Sequence, residues 1–480
     1  MQEQVRVTSW LMYASVVASF CCIGQYGYHV GVLAAPTKYI QDFYNQSYTE
    51  RYGEITQDIM DWLWAVTASS YLIGGALGAI AAPSISDIMG RKYGLLFVNF
   101  LPLSAALMSG CSRIANNFEL IIMSRTVNGV YGGIAFGITP MFLAEISPIK
   151  YRGAVGSSQK VFLALCILLA QILGIFVLNT EDNWHILLSM TGVISAIHLL
   201  LFPPCPDSPR WLVITDFNTK SAKRAIKKYY GTSDVDWVVD EINREHREEL
   251  TEEKVGVVGL FTNPNYRRPL LISVTIMSSI QLCGIPALYQ YAGFVFEMIW
   301  PNDPDAVSYA ILGIGLVELF ASFIAIFLVD RFGRRPLILY NFAAMVLLNG
   351  IIALSLNLAN PEKADAWAYI SMICIFASIF FFSIGPATVY FIIVPELWSQ
   401  STRPAAVSLG VQVQWWSGVL ITFLFPYMQS GIGAYMFLIF MVIMIYYTAF
   451  AYFLVPETKQ RSFEAISTGF RRKPRKRNED

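Results

Sequence analysis

Hydrophobic residues along this chain gather into twelve long runs divided by polar stretches, at 9–33, 62–83, 93–111, 119–144, 154–178, 185–204, 269–299, 306–329, 336–358, 368–394, 405–427 and 432–455. A transmembrane helix needs about 20 mostly apolar residues, so each run predicts one crossing, counted here as the first to the twelfth span. The first run is long enough to span and lacks a small-residue cleavage site, so it reads as a helix and not as a removed signal peptide. The longest polar stretch, 206–268, is rich in Lys, Glu and Asp. Helical periodicity in "TKSAKRAIKKYY" and "VDWVVDEINREHREEL" predicts a linker of short amphipathic helices there.

Composition agrees with the pattern: 480 residues that are 55% hydrophobic and only 14% charged, with a mean hydropathy of +0.49, make an integral membrane protein. The formal net charge of zero says nothing about partners, but charge placement does. Of 34 Lys and Arg, 28 lie on one set of loops and tails, four on the opposite set (Lys38, Arg51, Arg113, Lys363) and two inside runs (Arg125, Lys160). That bias predicts both termini in the cytoplasm. Asn45-Gln46-Ser47 is then a glycosylation sequon on an outer loop. The seven cysteines sit within or beside the runs without metal-ligand spacing and read as packing residues.

The chain repeats itself. "DIMGRK" after the second run answers "DRFGRR" after the eighth. "EISPIKYR" after the fourth answers "ELWSQSTR" after the tenth, and "PDSPRWL" and "VPETKQRS" close the sixth and twelfth. The expected fold is therefore an all-α membrane protein with twelve transmembrane helices in two pseudo-symmetric six-helix bundles. The divisions are 1–205 and 269–460 for the bundles, 206–268 for the linker and 461–480 for a basic tail. Parallel six-helix repeats are the plan of a transporter that holds its substrate between the halves near the midplane. The doubled charges, Asp87, Arg91, Glu145 and Arg152 in one half and Asp330, Arg334, Arg335, Glu396 and Arg403 in the other, predict an inner gate of ion pairs that opening inward would break. Arg125 lies within a run and needs a partner or an aqueous surface, with Glu145 a candidate.

"GRK", "SRTVNGVYGG", "PMFLAEISPIKYRG", "PDSPRWL", "DRFGRR", "PELWSQSTRPAA" and "VPETK", in this order, resemble the sugar porter family of the major facilitator superfamily. "QYGYHVGV", "FYNQSY", "GCSRIANNFELIIMSR" and "LLLFPPCPDSPR" resemble more narrowly the fructose-type branch of the animal facilitative hexose transporters. The resemblance, over about residues 15 to 465, implies the major facilitator fold and a plasma-membrane uniporter for a hexose such as glucose or fructose. It implies no cofactor, a monosaccharide partner and a monomer in the bilayer.

The same resemblance assigns candidate sugar contacts, and several depart from the family pattern. The helix 5 glutamine falls on Lys160, with Gln159 adjacent and Gln171 kept. The helix 7 motif reads "IQLCGIP", which keeps Gln281 but puts Ile280 and Pro286 where amides are usual. Glu318 stands for an asparagine, Ser383 for a frequent glutamate, and Gln414 precedes Trp415. Tyr28 and Trp415 are candidate stacking faces for the sugar ring, and His29 replaces Asn or Asp. An ammonium within a membrane helix costs about 2.5 to 3.5 kcal/mol on insertion scales. Lys160 is therefore expected to face Glu318 or a charged substrate across the central cavity, or else to snorkel to the inner edge. Gly385, Pro386 and Pro395 predict a bend in the tenth span.

No phosphate loop, metal-ligand cluster or nucleic-acid patch is visible, and the histidines are scattered, so the chain reads as neither enzyme nor primary pump. Two alternatives stay open. One is a carrier of a charged or zwitterionic small molecule, or a proton-coupled symporter through His29. The other is a non-transporting sugar sensor, which would be expected to carry a longer signalling tail.

Overall fold

The computed structural model describes residues 6–178, 180–232, 234–251, 255–359, 366–399 and 401–459. The basic tail lies outside them, as does the Asp330 side chain. Among the described residues nine helical stretches are long and apolar enough to cross a membrane. Two of them, Gln57–Ser112 and Arg403–Leu454, hold 56 and 52 residues and fold back as two crossings each. The first span runs through Ser9–Ala18, a π-helical turn at Ser19–Ile23 and Gly24–Gly31. Its outer part carries Gln25, Tyr26, Tyr28 and His29, which leaves it less apolar than the rest. Together these account for the twelve crossings and the major facilitator fold.

Small residues set how closely the helices approach, as membrane packing requires in the absence of a hydrophobic drive between helices. The second span, in Gln57–Val98, and the fourth, Glu119–Ile146, lie in contact along Gly74, Gly78, Gly129 and Gly133. A Cβ at any of these would come within 2.0–2.1 Å of a backbone oxygen on the facing helix.

Three features depart from the run-per-helix expectation. Gly90 has φ +80°, and there the chain turns between the second and third spans. The seventh run is two helices, Arg267–Leu282 and Ile285–Glu297, parted at Gly284 with φ +86°. The signal for that break was in "CGIP": a glycine for the left-handed turn and a proline that starts the next helix. The tenth run breaks at Gly385 between Ala366–Ile384 and Pro386–Glu396, while Pro395 sits inside the second piece without parting it. Outside the spans, the polar 37–52 stretch is also a helix, Thr37–Tyr52.

The linker forms the expected short helices, Pro209–Ile214, Thr219–Tyr230, Asp236–Thr251 and Val257–Thr262. It docks against the first half. Trp211 Nε1 donates to the Asp87 carbonyl at 3.1 Å and the Lys228 ammonium sits 4.1 Å from the Trp10 ring centroid.

Candidate substrate site and gates

The halves meet along several pairs of spans. Gln412 of the eleventh donates to the Ala76 carbonyl of the second at 3.1 Å. Trp415, one turn further out, lies edge-on to Tyr26 of the first span at 5.8 Å. The same ring covers Gly75, where an added Cβ would come within 2.2 Å of it. Gln171 of the fifth span packs on Gly315 of the eighth. The remaining two contacts seal the outer end: Gly293 of the seventh span against the Ala34 carbonyl of the first, and Trp64 of the second against Phe294 at 6.3 Å.

Buried amides gather at this seam. Gln281, Gln171 and Gln414 all have side-chain oxygens with no hydrogen-bond partner among the described residues, and both polar atoms of Gln171 are in that state. Gln281 faces Gly418 beside Leu72, and Gln414 reaches the Tyr390 hydroxyl at 3.4 Å. Buried polar atoms normally find partners, and these oxygens have none among the described residues.

Lys160 does not snorkel. Its ammonium crosses to the other half, donating to the Ser383 carbonyl and, at 2.7 Å, to the Thr388 hydroxyl. Glu318, 3% exposed, accepts from the Tyr289 hydroxyl at 2.6 Å and from the Ser383 hydroxyl. Lys160 and Glu318 are thus joined through one serine at the break in the tenth span. His29 is buried and stacked on Tyr71 at 4.8 Å, with both ring nitrogens unpartnered.

Two expected pocket residues are elsewhere. The Tyr28 hydroxyl donates to Leu187 O of the sixth span at 2.7 Å, inside the first half. Tyr26, about 200° away around the helix, is the residue that reaches Trp415. Gln159 turns back on its own helix, donating to the Gly156 carbonyl at 3.2 Å, because the residue beside Lys160 points about 100° off the seam.

Arg125 is not an inner-gate residue and does not meet Glu145. It lies near the outer end of the fourth span, 2% exposed, donating to the Thr67 carbonyl at 2.9 Å and across the halves to Gln290 Oε1 at 3.3 Å. Its guanidinium also lies 5.5 Å from the Tyr71 ring centroid. The run's direction explains the placement: the fourth span enters from the outer side at Glu119, six residues before Arg125.

At the inner end the two halves carry the same clamp. Arg91 pairs with Glu145 at 2.9 Å and also donates to Ser86 O; Arg334 pairs with Glu396 at 3.3 Å and donates to Val329 O. Ser208 donates to Glu145 as Thr458 does to Glu396. Asp207 accepts from the backbone N–H of Lys92 and Ser208, and Glu457 from those of Arg334 and Arg335. Asp207 and Glu457 were missed as clamp residues, although "PDS" and "PET" occupy matching places in the repeat. Burial holds the Asp207 carboxyl above the usual carboxylate range against the pull of its N–H donors. Asp87 does not take that part; its side chain is exposed and, among the described residues, only its carbonyl is engaged. Arg403 donates to Pro395 O and Trp398 O, and Arg335 to Tyr452 O, all within one half.

The ion pairs expected across neighbouring helices are therefore clamps within each half. Arg152 is exposed, and Gly153 and Gly156, on the helix face that leads down from Lys160, meet no described atom within 4 Å of an added Cβ. The clamps are closed while the face of the fifth span below Lys160 is exposed.

Two six-helix bundles that meet along a seam, where buried amide oxygens lack partners among the described residues, define a secondary transporter of the major facilitator type. The family "Sugar (and other) transporter" matches residues 14–470, and the chain belongs to it. It is 35% identical over 470 residues to "Solute carrier family 2, facilitated glucose transporter member 5" of Rattus norvegicus and of Homo sapiens, covering 98% of this chain and 93% of each relative. Among solved structures it is similar to the xylose transporter XylE from E. coli in a partially occluded inward open conformation. That likeness has a TM-score of 0.80 at 19% identity, over 95% of this chain and 100% of that one. A proton:xylose symporter XylE structure with bound 6-bromo-6-deoxy-D-glucose gives a TM-score of 0.77 over 96% and 99%.

Proposed function

We propose that this chain is a uniporter that lets a neutral hexose, of the fructose or glucose type, cross the plasma membrane by alternating access, as a monomer with both termini in the cytoplasm. The observation that carries the reading is the group of buried amides of Gln171, Gln281 and Gln414, whose side-chain oxygens have no partner among the described residues, at the seam beside the Trp415 and Tyr26 rings. Neutral amides donate to and accept from sugar hydroxyls, and aromatic faces pack on the ring. The names of the relatives, facilitated glucose transporters, agree with it.

Lys160 and Glu318 invite the reading of a charged cargo, but their heads are engaged by Ser383, Thr388 and Tyr289. That favours a neutral substrate. Opening and closing then consist of the halves tilting about the seam, with the two inner clamps keeping each bundle rigid and Arg125 with Gln290 holding the outer end shut. Asp330, whose side chain lies outside the described residues, and Arg152 are assigned to the inner gate only by their place in the repeat.

Purified protein in liposomes tests this: labelled fructose and glucose are compared with a hexuronate and a polyol, with and without a pH gradient. Saturable hexose uptake indifferent to the gradient is expected. Uptake of the hexuronate alone, or hexose uptake driven by an inward proton gradient, would replace the proposal with a charged-substrate carrier or a symporter.

A further inference from the structure

A broken helix inside a membrane exposes carbonyls that must find donors or cations. The first piece of the tenth span, Ala366–Ile384, ends at Gly385, and Pro386 supplies no N–H to continue it. Its last carbonyls carry the negative end of the helix dipole. Two oxygens there take the Lys160 ammonium, the Ser383 carbonyl and the Thr388 hydroxyl that donates to that carbonyl at 2.7 Å, and the hydroxyl of the same Ser383 links this point to the Glu318 carboxylate. Broken half-helix ends of this kind hold Na⁺ or H⁺ in ion-coupled transporters. In this chain the position is held by an ammonium brought from the opposite half on the fifth span.

We propose that the tenth-span break and Glu318 form a monovalent-cation site whose resident ion is the tethered ammonium of Lys160, so that the carrier neutralises Glu318 without a free coupling ion. Lysine suits the part because its head is a compact point charge on a flexible stem. Because Lys160 bonds the second half from the first, it also ties the halves together. The absence of a coupling ion rests on the uniport reading above. The cation site itself does not, and it is tested by binding to purified protein with no sugar present.

The variants are Lys160→Ala, which empties the site, Lys160→Met, which fills it with an apolar chain, and Lys160→Ala with Glu318→Gln, which removes the counter-charge. Each is melted in detergent with 100 mM choline, lithium, sodium or potassium chloride, and binding of radioactive sodium is measured. One small alkali cation is expected to raise the melting temperature of Lys160→Ala by about 2 °C or more over choline. The wild type, Lys160→Met and the double variant should not shift. No alkali-specific shift or binding in Lys160→Ala, or an equal shift in the wild type, overturns the site. If Lys160→Ala yields no folded carrier in choline buffer, recovery of monodisperse protein by an alkali cation supports the site, and failure in all three overturns it.

Discussion

Asp207 shows how a single carboxylate serves two structural ends at once. It accepts the Lys92 N–H at 3.0 Å and the Ser208 N–H at 2.7 Å, fixing the turn at Gly90 against the end of the sixth span. An added Cβ at Gly90 would lie 2.6 Å from Asp207 Oδ2, so glycine is required there on two counts, space and positive φ. Asp207→Ala strands two donors at about 1–3 kcal/mol each, and a loss of about 2 kcal/mol or more in denaturation measurements is expected. Asp207→Asn keeps an acceptor and should cost less. An acid whose folded pKa is raised contributes most below its unfolded pKa, and that contribution is lost as pH rises through the folded pKa. The Asn variant should therefore show a flatter decline in stability than wild type as pH rises from the acid side. At the seam, Gly75→Ala should slow transport about tenfold or more, since the added methyl would displace the Trp415 ring that packs on Tyr26 and Phe136, and overpacking costs about 1–3 kcal/mol. Unchanged uptake would mean that Trp415 does not pack on the second span during the cycle.

Among the elements, the breaks in the seventh and tenth spans stand out because each is made by a glycine with a proline one or two residues on. Gly284 adopts φ +86° against the Phe440 ring, where an added Cβ would sit 2.9 Å away. Gly284→Ala is expected to lower both melting temperature and uptake, whereas a break that were merely tolerated would show neither. The outer helix Thr37–Tyr52 carries the sequon with Asn45 exposed and Ser47 buried, bonded to Asn116 O at 2.8 Å. Glycan addition precedes that burial during synthesis. Cell-expressed protein should therefore lose mass on endoglycosidase treatment, and Asn45→Gln should abolish the shift; no shift would remove this support for the orientation.

At the scale of the whole molecule, closed outer contacts coexist with intact inner clamps, which follows from the clamps lying within each half. A cysteine at Gly156 should react with a membrane-impermeant thiol reagent applied from the inner side and not from the outer, in a background where the exposed Cys111 is replaced. Saturating hexose should slow that labelling by favouring the state closed inside; equal labelling from both sides would contradict a sealed outer end. What the sequence by itself determined was the number of crossings, the duplication and the charged repeats, because a bilayer demands about 20 apolar residues per span and every repeat writes its signal locally. Periodicity around a helix without its partner is silent on which face meets the other half, so it gave Tyr28 and Gln159 where the seam uses Tyr26. Depth within the fourth span set Arg125 at the outer seal, and contact between chain segments far apart put Asp207 and Glu457 into the clamps. Only tertiary structure decided those points, and it alone brought Lys160 to the broken tenth span, because a charge inside a membrane is settled by whichever distant oxygens the packing places within its reach.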